Sequence, residues 1–592
     1  MGTKRIARAR HLAPVLLPAL VAALPLLAEA VSAIVARGQI WLWGDQALID
    51  IEARNTLLGR NLLGVYDRYG WHHLGPMWLA MLGVARWVGG GSTISLVTGF
   101  YLVQAAAAVA IVIMAWRLRP GLTSWVAAVL VVGFEWSFGV DRLGTVWAPY
   151  AVALPAALLV LLVADVAVNR QPWPATVGAA ICASFLCQTE ISTLLMALSV
   201  LVVAPVLRFG AHLLRDRDES RTGAAKWAPA RWGWFSTRWR AGAAALGGAM
   251  AVVWAPTVVQ QLSGGHGNLA AVYDFFTTHA GQHSLGTSLK ALSTVLGSFP
   301  FRTGALDGNH DSDPAWLLKG GTFGVPWYVL YLALAAAVVV LAVVRRQRLP
   351  FSLAGASLAG LLAMGLSVHL VYGQLYPYLI FWAGAILVPL WLAVWMVLAP
   401  SLARALSKST SAIAARARAP FRQMKLALPA GAGVIACLAA AAFVLGPVPM
   451  TGKSSHFGER SWRAVAASVR APGIRTVYVD IGDAGAMPDG AAIADQVVRH
   501  GLRVELDAAA LRFADASLAP VATPQLEVVV CCGKHAPGPV LDGMTWRAEV
   551  GGQEIYAGRW VTTVRQQRRV RTPHQAGRHW PPGRLERGRR EV

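Results

Sequence analysis

Long apolar segments follow one another through most of this chain, and they restrict the folds open to it more than any other feature. The stretches 92–116, 146–168, 325–344 and 376–398 run for twenty residues or more with few charges. That is enough helix to cross a hydrocarbon core of ~30 Å. Charged residues make up 14% of the 592, where a soluble chain carries roughly a quarter. The expected class is a polytopic α-helical membrane protein.

Net charge is +23, which raises the question of nucleic acid. The Lys and Arg residues lie in short segments between apolar runs and in one C-terminal tail. That is the positive-inside pattern and offers no groove for a phosphate backbone. Nucleic-acid binding is therefore excluded as a function class. The five cysteines show no paired CxxC spacing for zinc.

The basic start KRIARAR leads into the apolar run 11–35, which resembles a secretory signal. Because many spans follow, an uncleaved first helix with a cytoplasmic N-terminus is the expectation. The short run 77–89 contains Arg86 and suits an amphipathic surface helix. The later runs are 92–116, 122–138, 146–168, 174–187, 192–207, 241–259, 325–344, 351–371, 376–398 and 426–445. About eleven spans result, and every strongly basic short loop, including 208–240, then lies in the cytoplasm. Counting 77–89 as a span would put Arg117, Arg119 and that loop outside. The chain thus reads as a transmembrane domain, 1–446, with outer loops 37–91 and 260–324. The protein is expected in the plasma (inner) membrane.

After residue 446 the pattern changes. RTVYVDIG, LRVELD and LEVVVCC read as strands, and 491–500 as a helix. A small α/β domain outside the cytoplasm is expected over 447–562. The segment IGDAG lacks a full GxGxxG, so no nucleotide site is read there. Residues 563–592 are Arg-rich without apolar periodicity and read as a disordered basic tail. Such a tail is either a solvated end or a contact to anionic lipid headgroups or wall polymers.

The segment from Trp41 to Pro76 concentrates the polar chemistry: Asp45, Asp50, Glu52 and Asp67, three arginines, and His72 beside His73. Trp41 and Trp43 are interface-type aromatics that set the depth of Asp45. Partial desolvation at that depth tends to raise a carboxylate toward the range of a general base. On a helix over 46–57, Asp50 and Arg54 are spaced to pair, and Glu52 lies opposite Asp45. Asp45 then reads either as a base or as a helix N-cap.

This segment resembles the GT-C class of membrane glycosyltransferases. GDQALID followed by LLGVYDRYGWHHLGP is similar to the bacterial branch related to the protein mannosyltransferase and aminoarabinose transferase families. That branch often has Asn-His-Pro-Gly-Pro where this chain has His72-His73-Leu74-Gly75-Pro76. The class often opens the loop with two acidic residues, and here the second position is Gln46. The resemblance covers the spans and first loop well and the C-terminal domain loosely.

It implies an inverting transferase at the outer face, with a polyprenyl-phosphate sugar as donor and a glycan, lipid or protein as acceptor. Asp45 matches the family's catalytic aspartate. Arg68 and Arg142 are candidates for the donor phosphate, the alternative being salt bridges with Asp67 and Asp141. Glu190 falls at the outer end between two spans, as a functional group or as a cap. His72 and His73 suit donor or acceptor contacts, or a wet interface. Tyr66, Tyr69 and Trp71 suit stacking on a sugar, or simple interfacial placement. No cofactor is required. Asp307, His310, Asp311 and Asp313 offer the best spacing for a divalent cation, although such sequences are commonly turns. The competing functions are a transporter or flippase of lipid-linked sugar, which calls for mid-span charges and repeats, and a non-catalytic envelope scaffold.

Overall fold

A computed structural model describes residues 2–35, 40–169, 171–219, 237–263, 267–279, 281, 283–297, 299, 313–318, 325–414, 453–481, 486–507, 518–519, 524–532, 545–550 and 553–559. The expected span 426–445, the acidic residues Asp307 and Asp311 with His310, and the tail 563–592 lie outside the described residues. The helices, in chain order, are α1 (Gly2–Val35), α2 (Asp45–Leu57), α3 (Met77–Val88), α4 (Thr93–Leu118), α5 (Leu122–Phe138), α6 (Ala148–Ala151), α7 (Ala153–Val168), α8 (Trp173–Thr189), α9 (Leu194–Glu219) and α10 (Thr237–Leu262). There follow α11 (Asn268–Thr278), α12 (Leu285–Leu296), α13 (Pro314–Leu317), α14 (Trp327–Val344), α15 (Arg348–His369), α16 (Leu387–Ala414), α17 (Lys453–Val469) and α18 (Met487–Arg499).

The chain divides into two bodies. The first comprises Met1–Gly38, Thr56–Val65 and Trp71–Met450; the second comprises Gln39–Asn55, Tyr66–Gly70 and Thr451–Val592. The first outer loop, expected as part of the membrane domain, is thereby split, and α2 belongs with the C-terminal segment.

Among the described residues, eight helices are long and apolar enough to cross a membrane. The protein is a multi-pass membrane protein. Ten of the eleven expected spans fall on described residues, and the two that miss the length criterion are α5 and α8. Each has 17 residues, about 25 Å of helix and the shortest that spans. Helix α3 has 12 residues, about 18 Å, too short to cross. It buries Trp78, Leu79 and Leu82 and leaves Trp87 and Val88 exposed.

The apolar helices are not equivalent. The span Ala148–Val168 is 83% buried within the protein, whereas Arg240–Leu262 is 11% buried. Lipid is as apolar as a protein core, so apolar sequence alone does not sort central from peripheral helices. The central span breaks between α6 and α7. Pro155 has no amide to offer the carbonyl four residues earlier, that of Ala151. The fully buried Gln104 of α4 supplies the missing donor: its Nε2 reaches Ala151 O at 3.0 Å and Tyr150 O at 3.2 Å.

In the second body five strands form one sheet in the order β2-β1-β3-β5-β4. They are β1 (Thr476–Ile481), β2 (Arg503–Leu506), β3 (Leu526–Cys532), β4 (Thr545–Val550) and β5 (Gln553–Arg559). The first three run parallel, and β5 joins them antiparallel, with β4. Val477, Val479 and Ile481 alternate onto the buried face, joined by Val504, Leu506, Val528 and Val530. The parallel pair β1–β2 is connected through α18, the crossover helix that such a pair requires.

Replacing Gln104 with Met should orphan the Ala151 carbonyl at the α6–α7 break. Denaturant unfolding of the detergent-solubilised protein should show a loss of about 2 kcal/mol.

Candidate functional site

In the first body the irregular segment from Trp71 to Pro76 and the start of α3 take hydrogen bonds from side chains, and the His73 amide donates to Val65 O at 2.8 Å. Asn268, the first residue of α11, accepts from the His72 amide at 2.8 Å and donates from Nδ2 to His72 O at 2.8 Å. Thr257 Oγ1 donates to Leu74 O at 2.9 Å. Gln188 Oε1 accepts from the Met77 amide at 3.3 Å, while its Nε2 donates to Val253 O at 3.1 Å, in the turn that Pro256 loosens. The backbone runs so close to these groups that a Cβ on Gly75 would lie 2.4 Å from Gln188 Oε1 and 2.5 Å from Thr257 Oγ1. Only glycine fits there. Sequence reading passed over Asn268, Gln188 and Thr257; the nearest signal was an amide directly after the apolar run 174–187, Gln188.

The two histidines differ. His72 is half-buried, and its Nδ1 stands 3.0 Å from the Gly64 carbonyl. A carbonyl accepts only, so Nδ1 carries the proton and, in the neutral ring, Nε2 is the acceptor nitrogen. His73 is buried, and its Nδ1 accepts from the Ile191 amide at 3.2 Å. Its proton therefore sits on Nε2, which faces Glu190 Oε2 at 3.6 Å.

The fold brings His73 together with Glu190, two residues 117 positions apart in sequence. Glu190 lies between α8 and the turn Ile191–Thr193, and both expected readings of it meet here. Its Oε1 accepts from the Ser192 amide at 3.2 Å as a cap, and its other oxygen faces the imidazole. Burial pushes this carboxyl up to about 7, outweighing the Ser192 contacts that favour its charge.

Around this pair stand aromatic side chains of the same body. Trp71 packs against His73, Phe275 and Phe276 at 5.8–6.0 Å between ring centroids. His279 stacks on Phe275 at 4.6 Å, and Tyr372 meets both edge-on. Arg142, expected at a surface, is instead 5% exposed. Its Nη1 donates to Phe138 O at 2.9 Å and its guanidinium lies over the Phe381 ring. Of the carboxylates near span ends, Asp165 pairs with Arg117 at 3.3 Å. Glu135 is fully buried, with no hydrogen-bond partner to either oxygen among the described residues.

The remaining candidates belong to the second body. Asp45 is the first residue of α2 and is exposed, so the protein does not supply the burial expected there. The cap position belongs to Gly44, whose carbonyl accepts from the Ala47 and Leu48 amides. Gly44 holds φ at +59°, in the left-handed region, which favours glycine. A carboxylate in the first helical turn is favoured by the helix dipole.

The other acidic residues of the loop are less exposed. Asp50, expected to pair with Arg54, has Arg499 as its partner, while Arg54 Nη1 donates to Val498 O at 2.9 Å. Glu52 is buried. Asp67 Oδ1 accepts from the Tyr69 amide at 3.0 Å, closing a tight turn with Gly70. Arg68 stands exposed at the tip of that turn, over the Tyr69 ring at 5.1 Å, and Tyr66 is half-buried beside it.

As for metals, Asp313 caps α13, its Oδ1 accepting from the Ala315 amide at 3.0 Å. Among the described residues no group of three His, Cys, Asp or Glu side chains is placed to hold a metal ion.

No family model matches the chain, and no curated protein matches it. Among solved structures it is similar to the crystal structure of ArnT from Cupriavidus metallidurans bound to undecaprenyl phosphate, at 13% identity and a TM-score of 0.49. It is likewise similar to ArnT from the same organism in the apo state, at 14% and 0.48; each alignment covers 91% of this chain and 97% of the other. At this identity the likeness does not extend to residue roles.

Because the folded-state value of Glu190 is raised, its contribution to stability is complete below its ordinary value of 4.5 and is lost as pH rises through about 7. Melting curves in detergent should fall over that window by the equivalent of on the order of 3 kcal/mol. The Glu190→Gln variant should be flat across it.

Proposed function

We propose that this protein is an inverting glycosyltransferase of the outer membrane face, moving a sugar from a polyprenyl-phosphate donor to an acceptor hydroxyl. The observation that carries this reading is the placement of Asp45. Of the four carboxylates in the first loop it alone is exposed, and it stands in the first turn of α2. Asp50 is committed to Arg499, Glu52 is buried and Asp67 closes a turn.

In the reaction so read, the Asp45 carboxylate accepts the proton of the acceptor hydroxyl as that oxygen attacks the anomeric carbon. The bond from that carbon to the donor phosphate oxygen breaks, and polyprenyl phosphate leaves with the electron pair. A single displacement inverts the anomeric configuration and needs no second nucleophile. The remaining requirement is positive charge or hydrogen-bond donors for the phosphate. Arg68 is exposed and suits that role directly; Arg142, packed beneath Phe381, suits it less.

Within the first body His73 has both ring nitrogens engaged, by Ile191 and Glu190, which hold its ring in one orientation. His72 presents the acceptor nitrogen described above and suits a contact to a sugar or acceptor hydroxyl. The aromatic group around Trp71 suits stacking on a sugar ring. A divalent cation is not called for by this scheme.

With radiolabelled polyprenyl-phosphate sugars and cell-envelope acceptors, Asp45→Asn and Asp45→Ala should each lower transfer by about 10²–10⁴-fold. Transfer that survives both would remove Asp45 as the base. Movement of lipid across the bilayer without transfer would favour a flippase. This reading also needs the 208–240 loop in the cytoplasm. A cysteine placed there in sealed cells should escape an impermeant thiol reagent until the membrane is opened.

A further inference from the structure

Within the second body, α2 is held at both ends by one helix more than 400 residues away in sequence. At its start the Gly44 amide donates to Pro488 O at 3.2 Å. Trp43 Nε1 donates to Asp489 Oδ1 at 3.2 Å, and that oxygen also accepts from Ser461 Oγ at 2.6 Å. Toward its end Asp50 binds Arg499, whose Nε also donates to Asp495 Oδ2 at 2.8 Å, and Arg54 reaches Val498 O.

Start meets start and end meets end, so α2 and α18 run in the same direction, joined by these polar contacts. Their matched lengths agree with this: about 14 Å from Asp45 to Arg54, and about 16 Å from Pro488 to Arg499. A third element closes the arrangement. Gly458 of α17 comes so near that a Cβ there would lie 2.6 Å from Leu42 O, and Phe457 packs on Trp43 at 5.7 Å between centroids.

The chemistry of these contacts argues for positioning beyond mere cohesion. Asp50 and Asp495 are 0% and 1% exposed, and both share the one guanidinium of Arg499. Apolar residues of similar volume would hold two helices together as well or better, because burying charge is costly. What a guanidinium between two carboxylates adds is direction: its planar fork fits one register of the two helices. A helix is stiff, so fixing Trp43, Gly44 and Asp50 also fixes the first turn, where Asp45 stands.

We infer that α18 is the positioning element of the proposed reaction, with Arg499 and Asp489 as positioning residues that set where the Asp45 carboxylate is presented. The inference rests on the reading of Asp45 as the base. The C-terminal domain thereby acquires a role in the transfer step and is more than an appended binding module.

The test uses the full chain in nanodiscs, with two readouts. Amide hydrogen exchange over residues 46–55 should become at least tenfold faster in Arg499→Met and in Asp489→Ala, with residues 148–168 and 476–481 unchanged. In transfer assays with a radiolabelled polyprenyl-phosphate sugar, both variants should lose about 10²-fold in kcat. KM for the donor should stay within about twofold, and the acid limb of the pH profile should move. Asp489→Asn, which keeps the acceptor for Trp43, should restore kcat to within about threefold.

Unchanged exchange over 46–55 would overturn the clamp. Faster exchange with unaltered kcat and pH profile would overturn the positioning role. If Arg499→Met also loosens 476–481, Asp489→Ala decides by the same criteria. Should Asp45→Asn retain transfer, the base reading falls by itself, while the exchange data still judge the clamp.

Discussion

A backbone threaded among apolar helices must find a partner for every amide and carbonyl, because neither lipid nor core side chains provide one. That constraint organises the first body. Where a proline breaks the span at α6–α7, the amide side chain of Gln104 takes over, and Gln188 donates to Val253 O in the turn of α10 that holds Pro256. Where the chain is irregular, from Trp71 to the start of α3, the partners are Asn268, Thr257 and Gln188, with the Val65 carbonyl. These few polar groups give an otherwise uniform set of apolar helices a single arrangement. Lipid-facing and core-facing helices are composed alike, so apolar burial discriminates poorly between alternative packings.

The same logic makes His73 and Glu190 informative. A buried imidazole whose Nδ1 takes an amide proton has its tautomer decided by the backbone, and Glu190 receives the protonated side. Burial then raises the carboxyl toward neutrality. The pair ties the segment at His73 to the turn Ile191–Thr193.

In the second body charge does the equivalent work. Burial and the neighbouring Asp50 carboxylate hold Asp495 well above the usual range, against the pull of Arg499. Burial opposes the charge of Arg499, and Asp495 and Asp50 outweigh it, so the guanidinium stays firmly protonated. Asp489 is raised as well, chiefly by burial, with Ser461 and Trp43 pulling the other way. Ionisable groups this deep stay in place only because each answers another, and the set links the first loop to the C-terminal sheet.

Much of the fold was legible in the sequence. Apolar run length located the helices, because a hydrocarbon core imposes a minimum length whatever the packing. Alternation in Val477, Val479 and Ile481 located the strands of the parallel part of the sheet. The β4–β5 pair went unread although Gly551 and Gly552 sit between its two halves, a usable hairpin signal in a stretch of mixed polarity. Asp45, His73 and Glu190 were legible as polar residues out of place, yet their partners were not. Asn268 stands 196 residues from His72, and Arg499 stands 449 from Asp50. Spacing along a helix pointed to Arg54 for Asp50, because local geometry is the only geometry a sequence displays. By itself the sequence determined the class of fold, the position of most apolar helices and the residue types available for chemistry, since these follow from solvent, period and composition. Only the tertiary structure decided which carboxylate is exposed, which is clamped and which faces an imidazole. Each of those states depends on a partner brought from a distant part of the chain.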